Sequence, residues 1–204
     1  MSKLSKRIIL LFFVIISLGF VGLFVIDKAT NSRINNIGVI GKVPNFSLTN
    51  FDGEEVTSSI LNNKITIVNF MFTQCEDACL IMSENLSLLQ ERFAQSNDIQ
   101  FLSITTDPDF DSLEILNDYQ KKYSKKNNWF FARGNIIDII NLSEKGFFLS
   151  AKLLPAGHST RLILVDQNNQ IRKYYEGTVD VNIFEMQSDI VLSLIHISEP
   201  TRQP

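Results

Sequence analysis

Cys75 and Cys79 are the only cysteines in a chain of 204 residues, spaced C-x3-C where an apolar run gives way to a helical pattern. Residues four apart on a helix share a face, so this spacing predicts two thiols projecting from one side of a first helical turn. Such a pair can hold one metal ion or close a disulfide. The positive end of the helix dipole favours the thiolate that both chemistries require. The bland alternative is two small buried hydrophobes that happen to be neighbours.

Two sharper readings compete. A dithiol enzyme of the thioredoxin kind normally carries C-x2-C, so the extra residue counts against it. Peroxidase chemistry of the peroxiredoxin kind places Thr three residues before the reactive Cys, where Phe72 stands, with Thr73 one residue too close. A metal site needs a third ligand. His158 lies 79 residues after Cys79 in LLPAGHSTRLILVD, just before a strand. In a thioredoxin-like sheet the loop entering that strand returns to the cysteine end. Two thiolates and one imidazole form a soft, low-coordinate set suited to Cu(I) and still able to hold Cu(II). Structural zinc would want a fourth protein ligand, and none is apparent. A lone His is otherwise a surface or packing residue. Met71 and Met82 are thioethers near the cysteines and read as core. Asp107 and Asp109 in TTDPDFD read as a turn and helix cap rather than an acid–base pair.

The elements that must position these residues follow from periodicity. The run ITIVNFMF (residues 65–72) is short, β-branched and aromatic, as a strand buried on both faces requires. A helix over residues 77–93 carries Met82, Leu86, Leu89 and Phe93 on one stripe, with Glu76 and Asp77 at its positive end. The strand IQFLSIT follows, then a helix capped by Asp111 or Ser112 and running to Tyr123. A strand at 129–131, a helix near 135–145 stopped by Gly146, and a hairpin of RLILVD and QIRKYYEG come next. A last helix spans about 181–191. Two extended pieces around Asp52-Gly53 open the domain. Strands alternating with helices, ending in a hairpin, predict an α/β fold with a thioredoxin-like mixed sheet flanked by helices.

Outside that domain, residues 1–28 read as a short cytoplasmic stretch and a transmembrane anchor. Lys3, Lys6 and Arg7 precede an uncharged run over residues 8–26, followed by Asp27 and Lys28. Nineteen residues rise about 28 Å as a helix, close to the hydrocarbon thickness of a bilayer. The basic cluster predicts the N-terminus inside and the domain on the extracytoplasmic, periplasmic side of the inner membrane. A cleaved signal peptide would show a shorter apolar core and a small-residue cleavage motif, and no Cys follows the run to suggest a lipoprotein. Residues 29–42 read as a polar linker and 43–191 as the domain. The tail LSLIHISEPTR, within residues 192–204, resembles the translation of a sequencing-library adapter and is read as a scar, which would remove His196 from the biological chain. A net charge of −3 offers no broad basic surface, which excludes nucleic acid.

The blocks VPNFSLTNFDGEEVTSSILNNKITIVNFMFTQCEDACLIMSENLSLLQERF, SITTDPDFDSLEILNDYQKKY, NNWFFARGN and GHSTRLILVDQNNQIRKYYEGT resemble, in order over residues 43–190, the Sco/SenC family of copper-binding assembly proteins. The resemblance implies a membrane-anchored thioredoxin fold binding one copper through Cys75, Cys79 and His158. It implies delivery of that copper, received from a donor protein, to the cytochrome c oxidase subunit that carries the CuA centre. The alternative role it implies is a thiol–disulfide oxidoreductase keeping the CuA cysteines reduced, with Cys75 and Cys79 redox-active. This chain departs from the family pattern at Glu76 and Leu80, where Pro usually follows each Cys, and at Gly157, where an acidic residue often precedes the His. Glu76 is expected to raise the thiol pKa values and favour a bound cation.

Overall fold

The computed structural model describes residue 7, residues 12–24 and residues 38–198, the last four by their backbone alone. The chain divides into two units, Met1–Ile37 and Gly38–Pro204. In the first, residues 12–24 form helix α1, with Phe12, Ile15, Phe20 and Leu23 exposed. Among the described residues no helix is long and apolar enough to cross a membrane. Part of the expected span over 8–26 lies outside the described residues.

The second unit is built around two fully buried strands. β4 (Ile65–Met71) and β5 (Ile99–Thr105) are buried along their whole length and pair in parallel. Strands buried on both faces belong at the middle of a sheet, and that is where they lie. β6 (Trp129–Arg133) adds in parallel beside β5. β7 (Arg161–Val165) and β8 (Gln170–Glu176) form the expected antiparallel hairpin, with β7 against β4. β2 (Ser47–Asn50) and β3 (Glu55–Thr57) form the hairpin around Asp52-Gly53, and β2 docks on β6. Gly53 takes the positive φ of 81° that this turn requires. The strand order is β1-β8-β7-β4-β5-β6-β2-β3, with β1 (Gly41–Lys42) closing one edge against β8. The expected linker therefore ends in a strand: Ile40 N–H donates to Ile171 O at 2.8 Å and Val43 N–H to Asn169 O at 2.9 Å.

Helices cover both faces. Cys79, Met82, Leu86 and Leu89 of α2 (Ala78–Arg92) pack on Ile65, Ile67, Met71 and Phe101. Tyr119 and Tyr123 of α3 (Leu113–Tyr123), and Ile183, Met186 and Ile190 of α5 (Asp180–Ser198), complete that core. On the other face Ile139 of α4 (Ile136–Asn141) and Leu142 of the π-turn Leu142–Gly146 join Val68, Phe70, Leu102 and Phe147. α5 runs past the expected end at 191 to Ser198, because Leu194 still packs on the first core and Ser193 Oγ donates to Asp189 O.

Candidate metal centre

The site forms where β4 leaves the sheet. Met71 O accepts the Thr106 N–H at 2.7 Å, which ties the ends of β4 and β5 together. Phe72 and Cys75 then close a turn, with Cys75 N–H donating to Phe72 O at 3.3 Å. The helix begins only at Ala78, so Cys75 lies in the preceding turn rather than on the first helical turn as the spacing predicts. The backbone at Asp77 (φ −118°, ψ −98°) breaks the helical path, and its side chain makes no capping hydrogen bond. Cys75 takes that part instead: its Sγ accepts the Cys79 N–H at 3.4 Å, one of the free donors at a helix start. The two thiols still face one another, through a cap instead of a shared helical face.

His158 arrives from the other side, on the segment leading into β7. Its Nε2 lies 3.1 Å from Cys79 Sγ, and its Nδ1 lies 3.1 Å from Ser159 O. A carbonyl can only accept, so Nδ1 carries the proton and the Nε2 lone pair is turned toward the sulfur. The Phe72 ring meets the imidazole edge-on, centroids 5.4 Å apart and planes at 81°. The three ligand atoms of Cys75, Cys79 and His158 all lie within 4.8 Å of one another.

Electrostatics here are set by burial. Desolvation pushes the Cys79 thiol up to about 12; a backbone hydrogen bond at Phe72 opposes this, while Cys75 and Asp111 add to it. Glu76, expected to raise the thiols, is exposed, and the upward influences on Cys79 are burial, Cys75 and Asp111 instead. Desolvation also holds His158 below its ordinary value, against the hydrogen bonds at Ser159 and Phe70. A neutral imidazole is the form that ligates. Soft thiol sulfurs and one imidazole nitrogen fit a thiophilic ion such as Cu(I).

Of the other candidates, Met71 and Met82 are fully buried in the core. Asp107 sits in a turn, its N–H donating to Thr105 Oγ1 at 3.0 Å, and Asp109 is exposed. Ser112, not Asp111, caps α3, accepting the Ile115 N–H at 3.2 Å. The side chain of His196 lies outside the described ones. The glycine before His158 has a steric cause: a Cβ at Gly157 would lie 2.4 Å from Leu153 Cβ and 2.9 Å from Leu153 O. The residue that sequence reasoning missed is Asp111, buried behind the cysteine turn. Its signal in the sequence, an Asp beside a helix start, is the same as that of a cap.

A paired-thiol and imidazole centre at the end of a parallel strand pair defines a thioredoxin-like domain of the Sco type. The SCO1/SenC family model matches residues 39–191, and the chain belongs to that family. It is 27% identical over 157 residues to the SCO1 protein homolog of Bacillus subtilis (strain 168), covering 73% of this chain and 81% of that protein. BsSco, a member of the Sco family of cytochrome c oxidase assembly proteins, superposes with a TM-score of 0.68 at 26% identity, over 78% of this chain and 97% of that one. Copper-bound ScoI of Arabidopsis thaliana shares the fold at 23% identity and a TM-score of 0.63, over 76% of this chain and 98% of that one.

Proposed function

We propose that this chain is a membrane-anchored copper carrier that binds one copper through Cys75 Sγ, Cys79 Sγ and His158 Nε2. It receives the ion from a donor protein and passes it to the CuA-bearing subunit of cytochrome c oxidase. The observation that carries this reading is the convergence of one soft donor set, within 4.8 Å, from two separate parts of the chain. Copper is cargo here, so the chain's task is to hold the ion and release it by ligand exchange, without turnover. Cys79 and His158 enter the site as a neutral pair, and binding displaces the thiol protons. The basic residues before the apolar run over 8–26 support an anchor in the inner membrane with the domain on the periplasmic side. Residues 192–204 are proposed to be adapter read-through; resequencing the locus and finding these codons in place would defeat that reading.

Titrating Cu(I) and Cu(II) into the detergent-solubilised full chain tests the carrier. Wild type is expected to bind one copper tightly, and His158→Ala to lose most of that affinity. A second reading is favoured by one observation, the partly exposed Cys75 beside buried Cys79. The Cys75 thiolate would attack a partner disulfide and form a mixed disulfide, releasing one partner thiolate. Cys79 would then displace the other, leaving a Cys75–Cys79 disulfide and a reduced partner dithiol. Full reduction of a CuA-domain disulfide by both wild type and His158→Ala, with no copper bound by wild type, would support this role over the carrier.

A further inference from the structure

We propose that Asp111 is a positioning residue of the metal centre, bracing the turn that carries Cys75 against the end of β5. The proposal rests on the copper-site reading for its metal readout but not for its thiol readout. Asp111 is completely buried, and among the described residues no cation pairs with it. Burying a carboxylate without a cation is costly unless hydrogen bonds compensate. Those bonds all go to the two strand ends beneath the site. Thr73 N–H donates to both carboxylate oxygens, at 3.3 and 3.2 Å, and the Thr73 and Thr105 hydroxyls donate as well.

Thr73 stands two residues before Cys75 and directly after Phe72. Phe72 O holds the Cys75 N–H, and the Phe72 ring lies against His158. One carboxylate thus braces the backbone of the outer cysteine and the ring that backs the imidazole. The loop that presents Asp111 is held in turn: Asp111 N–H donates to Asp107 O at 2.8 Å, and the Arg133 guanidinium donates to Pro108 O. Helix α3 makes no use of the Asp111 side chain, since Ser112 caps it.

The test compares full-length wild type with Asp111→Asn, Thr73→Val and Ser112→Ala. Two readouts are taken: the metal-free Cys75–Cys79 thiol–disulfide equilibrium in a glutathione buffer, and the thiolate-to-Cu(II) charge-transfer band with chelator-competition affinity. Asp111→Asn and Thr73→Val are expected to shift the equilibrium constant and the copper affinity by about tenfold, as outer partners of ligands do, and to move the band. Ser112→Ala is expected to lower the denaturation midpoint while leaving both readouts alone. Unchanged constants in folded Thr73→Val overturn the proposal, as does an equal shift in Ser112→Ala. Should Asp111→Asn fail to fold, Thr73→Val decides. If wild type binds no copper yet Thr73→Val still shifts the thiol equilibrium, the copper reading falls and the positioning role stands.

Discussion

The two arms of the centre are supported very differently. The cysteine arm grows out of the most buried part of the molecule: β4 has no exposed residue, Cys79 and Met82 sit in the main core, and the turn between is tied to β5 through Thr106 and Asp111. The histidine arm is a surface segment. Leu153 is 76% exposed, and before the segment reaches its ties to the sheet, at Phe70 for the imidazole and from Gly177 N–H to Thr160 O, its backbone hydrogen bonds are local, Gly157 N–H to Leu153 O and His158 N–H to Pro155 O. The lesson is that rigidity is concentrated on the thiols, which close packing places accurately, while the imidazole stands on chain that can open at little cost in burial. The proposed carrier role needs both properties, a fixed seat and a ligand that can let go.

Removing a ligand from each arm gives the largest expected effects. Cys79→Ala should weaken copper binding by roughly a hundredfold or more, at about 3 kcal/mol or more per ligand, and should also lower stability, because Cys79 is fully buried. His158→Ala should weaken binding comparably yet leave the denaturation midpoint near wild type. Equal stability losses in the two variants would break the comparison. Next come substitutions behind each arm. Met82→Ala should cost about 2–5 kcal/mol in chemical denaturation, whereas Leu153→Ala should stay within about 0.5 kcal/mol.

Gly157→Asp restores the acidic residue that the family often carries, but its Cβ collides with Leu153. It should displace His158 and weaken copper binding by about tenfold, the scale of a misplaced outer partner, without moving the cysteine pair's disulfide equilibrium. The smallest effect is in pH. Burial raises the folded Cys79 thiol from 9.0 to about 12, so the unfolded chain loses this proton first and stability falls as pH climbs above 9. Burial lowers His158 from 6.5, so the unfolded chain gains a proton first and stability falls as pH drops below 6.5. Urea midpoints across pH should show an alkaline loss that Cys79→Ala removes and an acid loss that His158→Ala removes.

Much of this was legible because it rests on long apolar patterns. Residues 65–71 and 99–105 are runs that only a sheet centre can bury, and both lie where the pattern put them. What was not legible depends on single residues in tertiary context. Two residues at Gly41–Lys42 have no period, so their strand shows only once β8 offers an edge. The break at Asp77 that moves Cys75 off the helix leaves no mark in a C-x3-C spacing. A capping Asp and a buried bracing Asp read alike until Ser112 is seen to hold the cap and Thr73 and Thr105 to surround Asp111. The grouping of Cys75, Cys79 and His158 was legible as three residue types with few competitors; the cap, the tautomer and the bonds around Asp111 were not.

Cys75 is partly open to solvent and Cys79 is sealed. Any incoming sulfur, whether on a copper acceptor, a partner disulfide or an alkylating reagent, therefore meets the outer thiol first. In the proposed role, traffic through the site would acquire an order that three equal ligands would not impose: the outer sulfur would be the point of handover, and the inner one the last hold.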